Sequence, residues 1–235
     1  MAFGVAGKDK VAPGNMYPNH HIDEEMLLSY AAGALGHAAS IVVASHLSLC
    51  PRCRAAVRTA EALGGVMLYD IEPAAVSSRS LAAVFARLDE PESTPAKAPV
   101  QPRRSLFGAS LPLLVLDHLP ADMDNLCWSW VQPGVKYTEL LTDKGGARVG
   151  LMLIASATAV TPHGHSGDEL TLVLGGGYSD GDAYFRRGDV QAVGEDVTHE
   201  PAADPHGGCL ALVMVEGPVK PTRLIARIFR HFTSL

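Results

Sequence analysis

Apolar residues recur with helical spacing from His20 to Asp89, and in short strand-like runs beyond residue 110. Asp23, Glu24 and Glu25 place acids in a first helical turn, where the helix dipole favours them. Ile22, Met26, Leu27 and Tyr30 form the buried stripe expected of that helix, and Gly33 and Gly36 end it. A second helix is expected over about 38–49. Pro51 suits the first position of a helix but not its interior, so a third helix is predicted from Cys50 to about Leu63. Ser78 reads as the N-cap of a fourth, with Leu81, Val84, Phe85 and Leu88 on one face.

The pattern then changes. Glu90 to Arg104 carries Pro91, Pro95, Pro99 and Pro102 without apolar periodicity, as a linker does. Strand-like runs follow at Cys127–Val131, Val135–Leu141, Val149–Ala155, Leu170–Leu174, Val190–Val193, Cys209–Val215 and Leu224–Phe229. Turns such as Gly145-Gly146 and Gly175-Gly176-Gly177 punctuate them, which implies an all-β sandwich or barrel. The reading is a two-domain α plus all-β chain: a flexible tail (1–19), a helical domain of about four helices (20–89), a Pro-rich linker (90–110) and a β-domain (111–235).

Composition narrows the function. With 47% hydrophobic residues in 235, the chain has ample material for packed cores. No run approaches the ~20 apolar residues of a membrane span, and Met1 to Asn19 lacks the apolar core of a signal peptide, so a cytoplasmic location is expected. The net charge of −6, without a basic stripe, argues against direct nucleic-acid binding. Residues 15–90 carry eight acids against five bases, a balance that suits a basic partner surface. Cys127 and Cys209 lie in apolar runs and are expected as buried, inert thiols. His37, His118 and His231 are expected at the surface.

Two constellations carry chemistry. His46, Cys50 and Cys53 follow a His-x3-Cys-x2-Cys spacing, which projects all three to one side of a helix or places Cys50 at a helix N-terminus. Zinc takes four N or S ligands in a tetrahedron, and the fourth is expected from His20 or His21. A domain of roughly 70 residues built of short helices benefits from such a staple. The plainer alternatives are a reactive dithiol, or two buried thiols with an incidental histidine. In the β-region, His163 and His165 share one face of a strand, and Glu169 keeps their parity. A later imidazole, His199 rather than His206, would complete a three-His, one-carboxylate site for zinc or another divalent transition metal.

These residues carry a resemblance. His-x3-Cys-x2-Cys after a helix, with an upstream His, resembles the zinc-binding anti-sigma factor domain, and the segment HHIDEEMLLSYAAGAL followed by VASHLSLCPRCR resembles the ChrR type. Position by position, His21 takes the upstream ligand place and His46, Cys50 and Cys53 the clustered ones, leaving His20 a bystander. His163-x-His165-x3-Glu169, with Gly176 downstream, resembles the first cupin motif. The second cupin motif departs from its pattern: Gly188-Asp189 matches its turn, but the Pro-x-Gly is missing and Ala203 stands where Asn is common. The resemblance implies a cupin-type antiparallel β-barrel and an anti-sigma factor that sequesters an extracytoplasmic-function sigma factor through the zinc domain. It further implies release on an oxidative signal, such as singlet oxygen or organic hydroperoxides, sensed by the cupin. The competing reading is a metal-dependent cupin enzyme, a dioxygenase or isomerase, with an accessory zinc domain.

Overall fold

The computed structural model describes residues 17–88, 105–120, 122–218 and 220–221. Helix α1 (Glu24–Ala31) starts on Asp23, whose carboxylate accepts the Met26 N–H at 2.7 Å. Helix α2 (His37–Leu49) is rich in apolar residues, and Ala38, Ala39, Ile41, Val42, Val43 and Leu47 are all buried, as are the polar Ser45 and His46. Burial around so much of its circumference marks a helix enclosed by neighbours. Helix α3 (Pro51–Tyr69) has Pro51 in its first turn and runs six residues past the expected end at Leu63. Gly64 and Gly65 keep their N–H and C=O groups in the helical ladder, so the ~1 kcal/mol that each costs relative to Ala does not stop it. Helix α4 (Ser80–Leu88) begins two residues after the expected cap, with Ser77 Oγ accepting the Arg79 N–H at 3.2 Å. Its periodic face is as predicted but nothing described covers it: Val84 is 57% and Leu88 71% exposed.

The short hairpin β1 (Ser105–Leu106) and β2 (Ala109–Ser110) and helix α5 (Leu113–Asp117) come next, none of them foreseen. The strands are β3 (Ser129–Gln132), β4 (Val135–Thr142), β5 (Arg148–Ile154), β6 (His163–Gly164), β7 (Glu169–Asp180), β8 (Ala183–Arg186), β9 (Val190–Val193), β10 (Ala202–Ala203), β11 (Cys209–Val215) and β12 (Lys220–Pro221). The main sheet is antiparallel in the order β10-β7-β11-β5-β4-β3, with β8 and β9 also on β7. Its ladder is an open path among the described residues. The bridges Ala159–Ala202 and His163–His199 and the small β6–β12 pair add pairing outside it. The expected strand 224–229, residues 90–104 of the expected linker and most of the expected tail lie outside the described residues, while residues 105–110, expected as the end of that linker, form the β1–β2 hairpin.

The glycine run in β7 is a bent strand, not the predicted turn. Its pairing with β11 shifts register beside Leu210, and Gly176 sits at φ +66°, where a side chain would also collide with the Gly208 carbonyl.

Strand periodicity explains how helices and sheet join. On β11, Leu210, Leu212 and Met214 face one core and Cys209, Ala211, Val213 and Val215 the other. The first core also contains Leu170, Leu172, Ile41, Val42, Val43, Cys50 and Cys53, so one continuous apolar cluster spans helices and sheet. Helix α2 contacts α1 and α3 as well as α5, β5, β7 and β11. The β4–β5 turn caps this helix from outside: Gly36 offers no capping side chain, and Asp143 accepts the Ala38 N–H at 3.3 Å. That bond, with those from Ala147 and Gly145, holds the Asp143 carboxyl below the usual range.

Candidate metal centres

The first centre lies where three helices begin or end. His21 precedes α1, His46 is in the last turn of α2, Cys50 joins α2 to α3, and Cys53 is in the first turn of α3. One donor atom from each lies within 4.8 Å of all the others. His21 Nδ1 is 3.3 Å from Cys50 Sγ and 3.6 Å from Cys53 Sγ. Cys50 doubles as the N-cap of α3, its sulfur accepting the Cys53 N–H at 3.4 Å. His20 stands apart, its Nδ1 3.3 Å from Asp189 and its ring against Phe185.

The protonation chemistry of this cluster fits a cation. His46 is fully buried and its Nδ1 donates to the Gly188 carbonyl at 2.8 Å. Its Nε2 therefore carries a lone pair, and among the described residues it has no hydrogen-bond partner. An unmatched buried group costs about 1–3 kcal/mol. Burial pulls the His46 imidazolium down to about 4, so the ring is neutral and able to ligate. Burial, with Cys50 alongside, pushes the Cys53 thiol up to about 11. Thiolates here need a compensating positive charge, and a divalent ion supplies it.

The second centre gathers His163 from β6, His165 just after it, Glu169 at the start of β7 and His199 opposite His163, again with donors within 4.8 Å of one another. His206 sits exposed with its N–H on Asp204, away from this group. His199 Nδ1 lies 2.9 Å from Asp180 Oδ2, and His163 Nδ1 2.9 Å from the Thr161 carbonyl, so both Nδ1 atoms carry the proton. The two Nε2 atoms are then bare, yet they stand 3.1 Å apart, and His165 Nε2 is also 3.1 Å from His199 Nε2. Facing lone pairs at that distance repel unless a cation lies among them. Glu169 completes the set, its Oε2 3.4 Å from His165 and its Oε1 accepting from Thr171 at 2.9 Å. Burial raises the Glu169 carboxyl and pulls His165 down to about 4. A cavity of about 30 Å³ adjoins, lined by His163, Glu169, Tyr178, Gln191, Met152 and Cys209 among others.

Sequence reasoning passed over the residues that hold the ligands in place. Asp180 accepts from Gln191 Nε2 at 2.7 Å as well as from His199; burial opposes it, yet these bonds hold its carboxyl below the usual range. Asp180, eleven residues after Glu169, sits on a strand that the sequence reading ended early. Of the lone thiols, Cys209 is buried as expected but Cys127 is exposed, because it precedes β3 instead of opening it.

Residues 117–220 match the family of ChrR cupin-like domains. The anti-sigma-E factor ChrR of Cereibacter sphaeroides is 36% identical over 213 residues, which covers 91% of this chain and 97% of that protein. The crystal structure of Rhodobacter sphaeroides SigE in complex with the anti-sigma ChrR matches with a TM-score of 0.70 at 35% identity, covering 84% of this chain and 99% of that one. Similarity of this extent, running through helices and sheet alike, shows that the chain belongs to the ChrR family.

Proposed function

We propose that this chain is an anti-sigma factor whose helical region sequesters an extracytoplasmic-function sigma factor. The observation that carries the reading is the uncovered apolar surface on the helices of a chain so closely related to an anti-sigma factor. Leu81, Val84, Phe85 and Leu88 on α4 join Val66, Met67 and Leu68 on α3 as exposed apolar side chains. The functional division follows the sequence boundaries: residues 20–89 hold sigma, 90–110 link and 111–235 sense. A sigma partner places the protein in the cytoplasm, and among the described residues no helix is long and apolar enough to cross a membrane.

In this reading His21, His46, Cys50 and Cys53 hold zinc, because a mixed imidazole–thiolate set suits that ion in a structural role. His163, His165, Glu169 and His199 hold a second divalent metal, which we read as zinc, and this centre senses the oxidative signal that frees sigma. The adjoining cavity favours a regulator over an enzyme: at about 30 Å³ it admits a water or two, far below the ~300 Å³ or more of sites that bury organic substrates.

Co-expression of the full chain with extracytoplasmic-function sigma factors of its own genome tests this. A stoichiometric complex that survives gel filtration, and that Cys53→Ser abolishes, is expected. A folded, metal-loaded chain that leaves every such sigma factor unbound would overturn it.

A further inference from the structure

Both centres are reached from one short piece of the sheet. Gly188, in the β8–β9 turn, accepts the His46 Nδ1 proton at 2.8 Å, and so orients a ligand of the helical centre. It sits at φ +89° with the Pro18 ring lying where a side chain would project, so the segment before His21 packs directly on this turn. Asp189, fully buried, accepts the N–H groups of Asn19 at 2.6 Å and His20 at 3.0 Å, immediately before the ligand His21. Its other oxygen takes the Arg186 N–H at 2.9 Å, which closes the turn. The Val190 N–H donates to the His20 carbonyl at 3.3 Å. One residue further, Gln191 donates to Asp180, the carboxylate that orients His199, and accepts from the Tyr178 hydroxyl at 2.7 Å.

We infer that Gly188–Gln191 is a tie between the two centres: positioning residues that transmit a change in the ligands of one to the ligands of the other. The inference rests on the reading of both clusters as metal centres. A strand is stiff along its length, and β9 is fixed to β7 by the pairs Glu169–Val193 to Leu172–Val190. Displacement of His199 therefore moves Asp180 and Gln191, and with them the Gly188 carbonyl that holds His46 and the Asp189 carboxylate that holds the Asn19–His20 backbone just before His21. Coupling between sites is reciprocal, so loosening the helical centre also loosens the cupin centre.

The test reads the helical centre through its own thiols. In full-length protein carrying Cys127→Ser, modification of Cys50 and Cys53 by a thiol reagent reports whether that centre is closed. His165→Ala, which removes a cupin ligand outside the tie, is expected to speed this modification by about tenfold, a typical coupling between sites. In a Gln191→Ala background the same His165→Ala change is expected to alter the rate by less than about twofold, because the tie is already cut. If circular dichroism shows Gln191→Ala unfolded, Asp189→Asn cuts the other end with the same expected outcome. An unchanged thiol rate in His165→Ala, or an equal enhancement in the tie-cut background, overturns the inference. Metal analysis of the same samples keeps the two readings apart. Two equivalents in the parent protein and one in His165→Ala are expected. A parent protein with fewer than two refutes the assignment of the centres, and the tie with it.

Discussion

Replacing Leu212 with Ala tests whether the helices and the sheet stand on one core. Leu212 is in the middle of β11, fully buried, and belongs to the cluster that also contains Ile41, Val42 and Val43 of α2. The substitution deletes three carbons, about 2.4 kcal/mol of transfer free energy at ~0.8 kcal/mol each. The void left between two regular elements adds a cavity cost, so a loss of about 3–4 kcal/mol is expected, within the usual range for buried Leu→Ala. For a chain of this size that lowers Tm by roughly 6–16 °C. The assay follows two probes in the same melt. Trp128 and Trp130, the two tryptophans of the chain, report the β-region by fluorescence. Exposure of Cys50 and Cys53 to a thiol reagent reports the helices. Both transitions are expected to fall together. A tryptophan transition that shifts while the thiol transition stays in place would refute the single core.

Other consequences are equally direct. In the metal-loaded protein only the exposed Cys127 is expected to react quickly with a thiol reagent; chelation adds Cys50 and Cys53, and Cys209, buried with its thiol pushed up to about 12, follows only on unfolding, so fast labelling of Cys209 would contradict the packing. Burial holds His46 and His165 at about 4 in the fold against 6.5 in the unfolded chain, so the unfolded state binds more protons between those values. Burial lowers His21 and His163 as well, and these four imidazoles together outweigh the raised Glu169 carboxyl, which acts the other way, so stability is expected to decline from about pH 6.5 toward pH 4; proton competition for metal ligands acts in the same direction, and a Tm flat over that range would refute it. Gly176→Ala is expected to destabilise by about 2 kcal/mol or more through strain and collision with the Gly208 carbonyl, whereas Gly65→Ala, in open space on α3, is expected to stabilise by up to ~1 kcal/mol, both read by denaturant melts. Phe85→Ser, at a position 58% exposed, is expected to leave stability within about 0.5 kcal/mol while weakening sigma binding at least tenfold by calorimetry.

What the sequence made legible is what local chemistry dictates. Asp23 caps a helix whatever surrounds it, Pro51 starts one, and a short unbroken apolar run along 209–215 between glycines marks a buried strand. The clustering of His46, Cys50 and Cys53 follows from helix geometry, and that of His163 with His165 from strand parity. What stayed hidden depends on contacts distant in sequence. The glycines at 175–177 read as a turn because the chain alone does not reveal that Gly208 crowds them. Asp180 and Gln191 look like ordinary surface residues until β7 and β9 bring them together. The face that α2 turns to the sheet was unforeseeable for the same reason: a helix rich in Ala, Val, Ile and Leu says that it is covered, not by what.

That enclosure of α2 bears on how the protein can be taken apart. Its helices and strands are held together by a shared interior, by Asp143 at one end of α2 and by the Gly188–Asp189 turn at the other. Peptide-bond continuity between the halves is thus redundant in the native state. A protease that made one cut in the proline-rich stretch would yield a nicked protein whose two fragments co-migrate, and the sigma-binding helices would stay seated. Proteolytic release of the partner requires digestion that reaches α2 itself, or prior loss of the contacts that seat it.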